Sequence, residues 1–379
     1  LFCGQPRTYY LCEKYRNEKY RNMENPFKFG VLVDNDFFTD RVKELQYIGQ
    51  FLHSENHLIL ISPRRYGKSS LVRKAVRQTG RPCVYINLQQ VTSIEDFSAM
   101  IIKEVYKLYP WEKIKHILAS LRIVPVISST PTGDQLEVSF NPQMASSSTF
   151  IEDALAMLER VSTPEKKLIV VLDEFQELLE IEKNVDKKLR AVMQEQKGLN
   201  YIFLGSQESM MTDIFERVKS PFYHFGQLMH LGKIPYDDFF EFIKTRMKPV
   251  AKDYNEAIAK AILDFTGCHP YYTQQLSARC WEVLQVDDVA GDPVAYAIND
   301  LVNAHDLDFE RIWLMLNRTS RRILQMLSLG KAPYQDRNLP ASTSYSALKK
   351  LMKDGYVIRT DAYEIEDPFF RMWIRGQQQ

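Results

Sequence analysis

Residues 58–71 read LILISPRRYGKSSL, and the parsing of this stretch governs the reading of the whole chain. With His57 ahead of it, HLILI is a short, continuously apolar run of the kind that forms a buried strand. A polar turn follows, then SLVRKAVRQTG, a helical segment with Gly80 as its stop. Between strand and helix, Ser62, Pro63, Arg64, Arg65, Tyr66, Gly67, Lys68 and Ser69 meet the pattern G-x-x-x-x-G-K-S/T at every place but the first, and Ser70 leads into the helix.

That pattern carries a mechanism. Consecutive backbone amides curl around phosphate oxygens at a helix N-terminus, a lysine reaches the outer phosphates, and a hydroxyl holds magnesium. Gly67 lets the backbone turn, Lys68 supplies the charge and Ser69 the hydroxyl. Serine at position 62 is tolerable provided it need not adopt a positive φ. The competing reading is a solvated basic turn, against which stands the strand–loop–helix setting. Arg64 and Arg65 either touch phosphate or are solvated surface.

A phosphate loop also needs a carboxylate on a neighbouring strand to hold magnesium. KKLIVVLDEF (Lys166–Phe175) supplies it: five apolar residues, Leu168–Leu172, end at Asp173 and Glu174. Asp173 is expected at the metal, and Glu174 is expected to orient or deprotonate the attacking water. Read separately, Asp173 is a strand-end turn residue and Glu174 a solvated charge.

The rest of the chain fits an α/β layer. Phe38–Leu52 has an amphipathic helical pattern through Val42, Leu45, Ile48 and Leu52. CVYINL (Cys83–Leu88) and YIFLGS (Tyr201–Ser206) read as buried strands; Ser93–Tyr109, Phe150–Val161 and Lys187–Gly198 read as helices. IVPVI and LEVSF, among residues 120–149, suit a hairpin insertion. Strands alternating with helices imply a mainly parallel sheet. After Pro235, Asp237–Met247, Asn255–Phe265, Tyr271–Leu284 and Leu301–Asn317 read as four helices.

Composition narrows the class. The 379 residues carry 49 basic and 48 acidic side chains, so net charge argues neither for nor against a nucleic-acid partner. The five cysteines (Cys3, Cys12, Cys83, Cys268, Cys280) are odd in number and form no C-x-x-C pair, which favours reduced thiols in a cytosolic protein. No apolar run approaches the roughly 18–20 residues needed to cross a bilayer. Residues 1–22 repeat KYRN and lack an apolar core; they are expected to be upstream sequence or a poorly ordered arm ahead of a natural start at Met23, the alternative being a genuine N-terminal extension.

Taken in order, these boxes resemble the P-loop ATPases of the AAA+/STAND group known as archaeal-type ATPases, over nearly everything after Met23. NPFKFGVLVDNDFFTDRVKEL resembles the N-terminal box, with Phe38 and Arg41; ISPRRYGKSSL and VVLDEFQEL resemble the two nucleotide motifs; IFLGSQESMM resembles the sensor strand, TGCHPYY the lid motif and EDPFFRMWI the closing box. The resemblance implies a P-loop fold with parallel sheet order 5-1-4-3-2, a helical lid and a winged helix-turn-helix. The corresponding boundaries are a 23–235 core, a 236–305 lid and a 306–379 winged-helix domain. It implies ATP or ADP with Mg2+ between core and lid, Arg41 among the nucleotide-binding residues, Ser206 and Gln207 at the γ-phosphate, and His269 and Pro270 near the adenine. Ser206 is otherwise a satisfied strand-end hydroxyl and His269 a core histidine. Two departures stand out: Cys268 occupies a place where glycine is common, and SPFYHFG offers His224 but no arginine for trans-activation, leaving Arg217 and Lys219 as neighbouring candidates.

In the tail, Ser320–Leu329 is a helix and Ser342–Asp354 the candidate recognition helix, stopped by Gly355, before YVIR and YEIE. Ser342, Thr343, Ser344 and Tyr345 are expected to face DNA, Lys349 and Lys350 its phosphates, and Leu348, Leu351 and Met352 the core. Against DNA stand Asp354, Asp361, Glu364, Glu366 and Asp367, which make the wing acidic; a protein partner or self-association is the other use of such a module. The expected function is a slow, Mg-dependent ATPase acting as a conformational switch, with a nucleotide-gated DNA-binding regulator of negligible turnover as the rival.

Overall fold

The apolar runs read from the sequence form strands. The computed structural model describes residues 23–32, 37–39, 41–129, 136–140, 145–285, 291–334, 339–360 and 362–377. The proposed extension 1–22 and Asp361 of the tail lie outside these. The described residues fall into two units: one gathers the chain up to Asp40, Arg65–Gly67 and everything from Lys233 onward; the other holds Arg41–Arg64 and Lys68–Gly232.

The second unit is an α/β layer. Its elements are α1 (Val42–His53), β1 (Leu58–Ile61), α2 (Lys68–Thr79), β2 (Cys83–Asn87), α3 (Ile94–Leu108), α4 (Trp111–Ala119), β3 (Pro125–Ser129), β4 (Leu136–Phe140), α5 (Ser147–Val161), β5 (Leu168–Asp173), α6 (Phe175–Ile181), α7 (Val185–Met193), β6 (Leu199–Gly205), α8 (Glu208–Phe215) and β7 (Gln227–His230). Strands β2, β5, β6, β1 and β7 pair in that order, all in parallel. Numbered among themselves along the chain, they follow the expected order 5-1-4-3-2. Every residue of β1, β5 and β6 is buried, which is why these strands are mainly apolar; the polar exceptions are Asn200 within β6, which is hydrogen-bonded to Arg81 and to the Ser54 and Asn56 carbonyls, and Asp173 at the end of β5. β3 and β4 form the antiparallel hairpin insertion.

Three local readings need correction. The first helix starts at Val42 rather than Phe38, because Arg41 ahead of it takes the left-handed φ of 64°. The helix expected over Lys187–Gly198 runs instead from Val185 to Met193. The fifth strand, β7, has no apolar run: its four residues are at best half-buried at the sheet edge, and periodicity does not reveal it.

The other unit is helical: α9 (Tyr236–Ala251), α10 (Asn255–Thr266), α11 (Pro270–Gln285), α12 (Pro293–Ala304), α13 (Asp306–Met315), α14 (Arg318–Ser328), α15 (Ala341–Lys353), the hairpin β8 (Val357–Arg359) with β9 (Tyr363–Ile365), and α16 (Pro368–Gly376). The single helix expected over Leu301–Asn317 is two, broken at His305. Side-chain caps set several starts: Asp292 accepts from the Val294 and Ala295 amides, Asn317 from Ser320, and Asp367 from Phe369 and Phe370. One core runs through this unit, from Phe27 and Trp281 to Phe369 and Ile374.

On α15 the buried positions are Ser344, Ala347, Leu348 and Leu351, a three-and-four spacing. Ser344 therefore faces the core at 1% exposure instead of facing DNA, and Met352 is on the helix edge, 38% exposed, instead of in the core. Ser342, Thr343, Tyr345, Lys349 and Lys350 are exposed.

Candidate nucleotide site

Register brings the chemistry to one edge of the parallel sheet. Ile61 pairs with Gly205, and Asn87 with Asp173, so the segments that leave β1, β5 and β6 emerge side by side. The Ser62 amide donates to the Gly205 carbonyl at 3.2 Å. Ser62 is buried, and it is not among the residues with positive φ, the condition for serine at that place. Gly67 has φ +84°, the turn that only glycine makes without strain, and α2 begins at the next residue.

Two polar clusters meet there. Lys68 Nζ lies 2.6 Å from Glu174 Oε1, with both side chains about nine-tenths buried. The other oxygen, Oε2, accepts from Ser206 Oγ at 2.6 Å, from the Ser206 amide at 3.1 Å and from Gln176 Nε2 at 2.7 Å. Burial opposes ionisation of Glu174, but the Lys68 charge and these donors outweigh it and hold the carboxyl below its usual range. Glu174 itself stands at φ 56°, ψ 50°, a left-handed conformation between the end of β5 and the start of α6. Such backbone persists only where the surroundings over-determine it, and here four donors do.

Beside it, Asp173 Oδ2 accepts from Ser69 Oγ at 2.8 Å and also from the Tyr85 hydroxyl, while Oδ1 accepts from the Glu174 amide at 3.1 Å. A hydroxyl and a carboxylate held together are hard oxygen donors suited to Mg2+, which keeps several waters and takes phosphate oxygens as its remaining ligands. Among the described residues there is no group of three His, Cys, Asp or Glu side chains that could hold a metal by itself.

The other expected site residues divide. Pro63 is half-buried, Arg64 exposed and Ser70 buried. Gln207 is half-buried just ahead of α8. Arg41 is buried; it donates to Glu44 Oε1 at 2.9 Å and to the Gly232 carbonyl at 2.7 Å, contacts that fix the start of α1. Arg65, Tyr66 and Gly67 group with the helical unit. There the Arg65 guanidinium donates to the Tyr272 hydroxyl at 2.9 Å and lies 4.8 Å from the Tyr271 ring centre. His269 caps α11: its Nδ1 accepts from the Tyr271 and Tyr272 amides, and Pro270 opens the helix. The His269 N–H is therefore on Nε2, 3.7 Å from Glu366, and burial, only partly opposed by Glu366, keeps the ring neutral. Cys268 adopts φ +60°, the conformation glycine usually supplies. Arg217 and Lys219 are exposed.

Sequence reasoning did not reach Gln176 or Tyr85. Gln176 is two places beyond Glu174 and completely buried, a polar residue in the first turn of α6. Tyr85 carries no spacing signal at all.

Comparison with known proteins bears on the fold and the family. No curated protein matches the sequence. Among solved structures, the Walker-type ATPase PABY2304 of Pyrococcus abyssi is similar with TM-score 0.65 at 18% identity, covering 92% of this chain and 99% of that one. The Aeropyrum pernix ORC2 protein, solved in ADPNP–ADP complexes, gives 0.54 at 13% identity (93% and 99% covered). The A. pernix ORC1 protein in complex with DNA gives 0.50 at 13% (94% and 98% covered). At such identities the likeness is one of fold, an α/β layer with a parallel sheet and helices. The sequence model of the ATPase domain found predominantly in Archaea matches residues 38–276, well over half of the length, and the chain belongs to that family.

Proposed function

We propose that the protein binds ATP with Mg2+ at the Lys68, Ser69, Asp173 and Glu174 cluster, hydrolyses it slowly and uses the cycle as a conformational switch. One observation carries this reading: a lysine and a hydroxyl that open a helix after a phosphate-loop turn lie within 2.6 and 2.8 Å of two adjacent strand-end carboxylates. Bound Mg2+ would stabilise developing charge on the phosphates, held by Ser69 and Asp173. Lys68 leaves Glu174 for the outer phosphates. Glu174, still buried but deprived of that cation, becomes a stronger base at the moment a phosphate arrives, and it accepts a proton from the attacking water. Ser206, hydrogen-bonded to Glu174, is placed in this reading to sense the γ-phosphate together with Gln207. His269 and Pro270 are assigned to the adenine end.

Slow turnover follows from the stretch Ser220–Gly226, which offers no arginine to complete the transition state. The output is assigned to residues 306–379, a winged-helix module following a 23–235 core and a 236–305 lid. The test is phosphate release by wild type, Glu174→Gln and Lys68→Ala, with and without duplex DNA. Activity lost in both variants supports the enzyme; a rate typical of vigorous ATPases without any partner refutes slow turnover, and absence of nucleotide binding refutes the site.

A second reading, a nucleotide-gated DNA-binding regulator, is favoured by the exposed Ser342, Thr343, Tyr345, Lys349 and Lys350 on α15. No phosphate release, combined with nucleotide-dependent retention of DNA at low salt, would favour it over the enzyme.

A further inference from the structure

We propose that Tyr85 is a positioning residue for the metal-binding carboxylate: its hydroxyl holds Asp173 in the orientation a divalent cation requires, and Arg73 in turn holds Tyr85. The inference rests on the nucleotide reading above. It begins with sheet register. Tyr85 of β2 pairs with Val171 of β5, two residues before Asp173. Positions 171 and 173 share a face, so Tyr85 and Asp173 are diagonal neighbours, a span that an aromatic side chain reaches. The Tyr85 hydroxyl donates to Asp173 Oδ2, the same oxygen that accepts from Ser69.

Three donors on one carboxylate leave it little torsional freedom. Oδ1 is directed by the Glu174 amide, and Oδ2 by two hydroxyls, one from each flanking element. Mg2+ demands near-octahedral geometry, so a carboxylate that is already oriented loses less on binding it.

The ring is braced as well. The Arg73 guanidinium sits 3.9 Å from the Tyr85 ring centre. Arg73 Nε is buried and makes no hydrogen bond, so the ring face is what the guanidinium engages there. Arg73 belongs to α2, the helix that Lys68 and Ser69 open. One helix thus presents the phosphate and metal ligands at its first turn and, one turn later, braces the residue that aims the opposing carboxylate.

Packing alone asks only for an aromatic ring at position 85; the hydroxyl serves Asp173. Tyr85→Phe therefore separates the two roles. A fluorescent ADP analogue is titrated into wild type and variant, in excess EDTA and at graded Mg2+. Outer partners of metal ligands typically govern metal affinity by about 10–100-fold. The expected result is a rise of about tenfold or more in the Mg2+ concentration at half-saturation, with binding in EDTA unchanged within about twofold. A Mg2+ midpoint that moves less than about threefold overturns the inference and leaves the nucleotide site standing, as does an equal loss in EDTA and in Mg2+, the mark of a packing residue. Wild type that binds no nucleotide under either condition overturns the site reading and this inference with it. Thermal unfolding without ligand checks that the variant folds. Should Tyr85→Phe fail that check, Arg73→Gln takes its place and must show the same split, a Mg2+ midpoint raised about threefold with binding in EDTA preserved.

Discussion

Lys68→Met is the perturbation whose outcome depends most directly on the geometry. In the folded protein, Lys68 and Glu174 have side chains 9% and 10% exposed and an N–O distance of 2.6 Å. Removing one partner of such a pair leaves the other charge buried, at a typical cost of about 3–5 kcal/mol. Glu174 would keep the Ser206 hydroxyl, the Ser206 amide and Gln176, so the low end applies, about 3 kcal/mol at pH 8. The pH dependence follows from the signs. In wild type the folded Glu174 carboxyl is held low; its contribution is complete above the unfolded pKa and is lost only as pH falls through the folded value. Without the Lys68 charge, burial dominates and the carboxyl moves up. The variant then sheds its penalty by taking a proton as pH falls, while wild type is still at full strength. The stability gap, measured by urea unfolding at pH 8 and at pH 5, is thus expected to narrow on acidification. A gap below about 1 kcal/mol at pH 8, or one that is unchanged at pH 5, refutes the view of a buried and mutually dependent pair.

Three further outcomes are expected. Cys268→Gly relieves a left-handed residue at φ +60° and should stabilise by about 0.5–1 kcal/mol, read as a rise in Tm; a fall would mean that the thiol's packing outweighs the backbone strain. His57 accepts the Tyr201 amide on Nδ1, and burial first, then Arg190, lower its pKa from 6.5 to about 4. The stability it confers is therefore present above about pH 6.5 and lost toward pH 4, up to about 3 kcal/mol, and His57→Gln should lack that decline in urea titrations. Ser344→Ala removes a buried hydroxyl that makes no hydrogen bond; it should leave stability unchanged or raise it by up to about 1 kcal/mol, and leave any DNA retention untouched, since the side chain faces the core.

What the sequence could disclose follows from how each feature is encoded. β1, β5 and β6 are legible because central parallel strands are covered on both faces and therefore appear as apolar runs or near-runs, whereas β2, at a sheet edge with alternate residues buried, is legible from the apolar start of CVYIN. β7 is not: an edge strand of four partly exposed residues, QLMH, has no periodicity to read. The break at His305 is equally silent, since apolar residues continue on both sides of it. The site divides along the same line. Lys68, Ser69, Asp173 and Glu174 could be named because their chemistry is tied to fixed places relative to a strand end or a helix start, which are local properties. Tyr85 could not, because its relation to Asp173 exists only through the pairing of β2 with β5, and a shift of one residue in that pairing would turn its ring to the opposite face of the sheet. Groups that touch phosphate or metal are thus written in local spacing, whereas the groups that aim them are written in register. In this family of folds the residues most worth testing next are therefore those one strand away from the motif, at diagonal positions that no spacing pattern encodes.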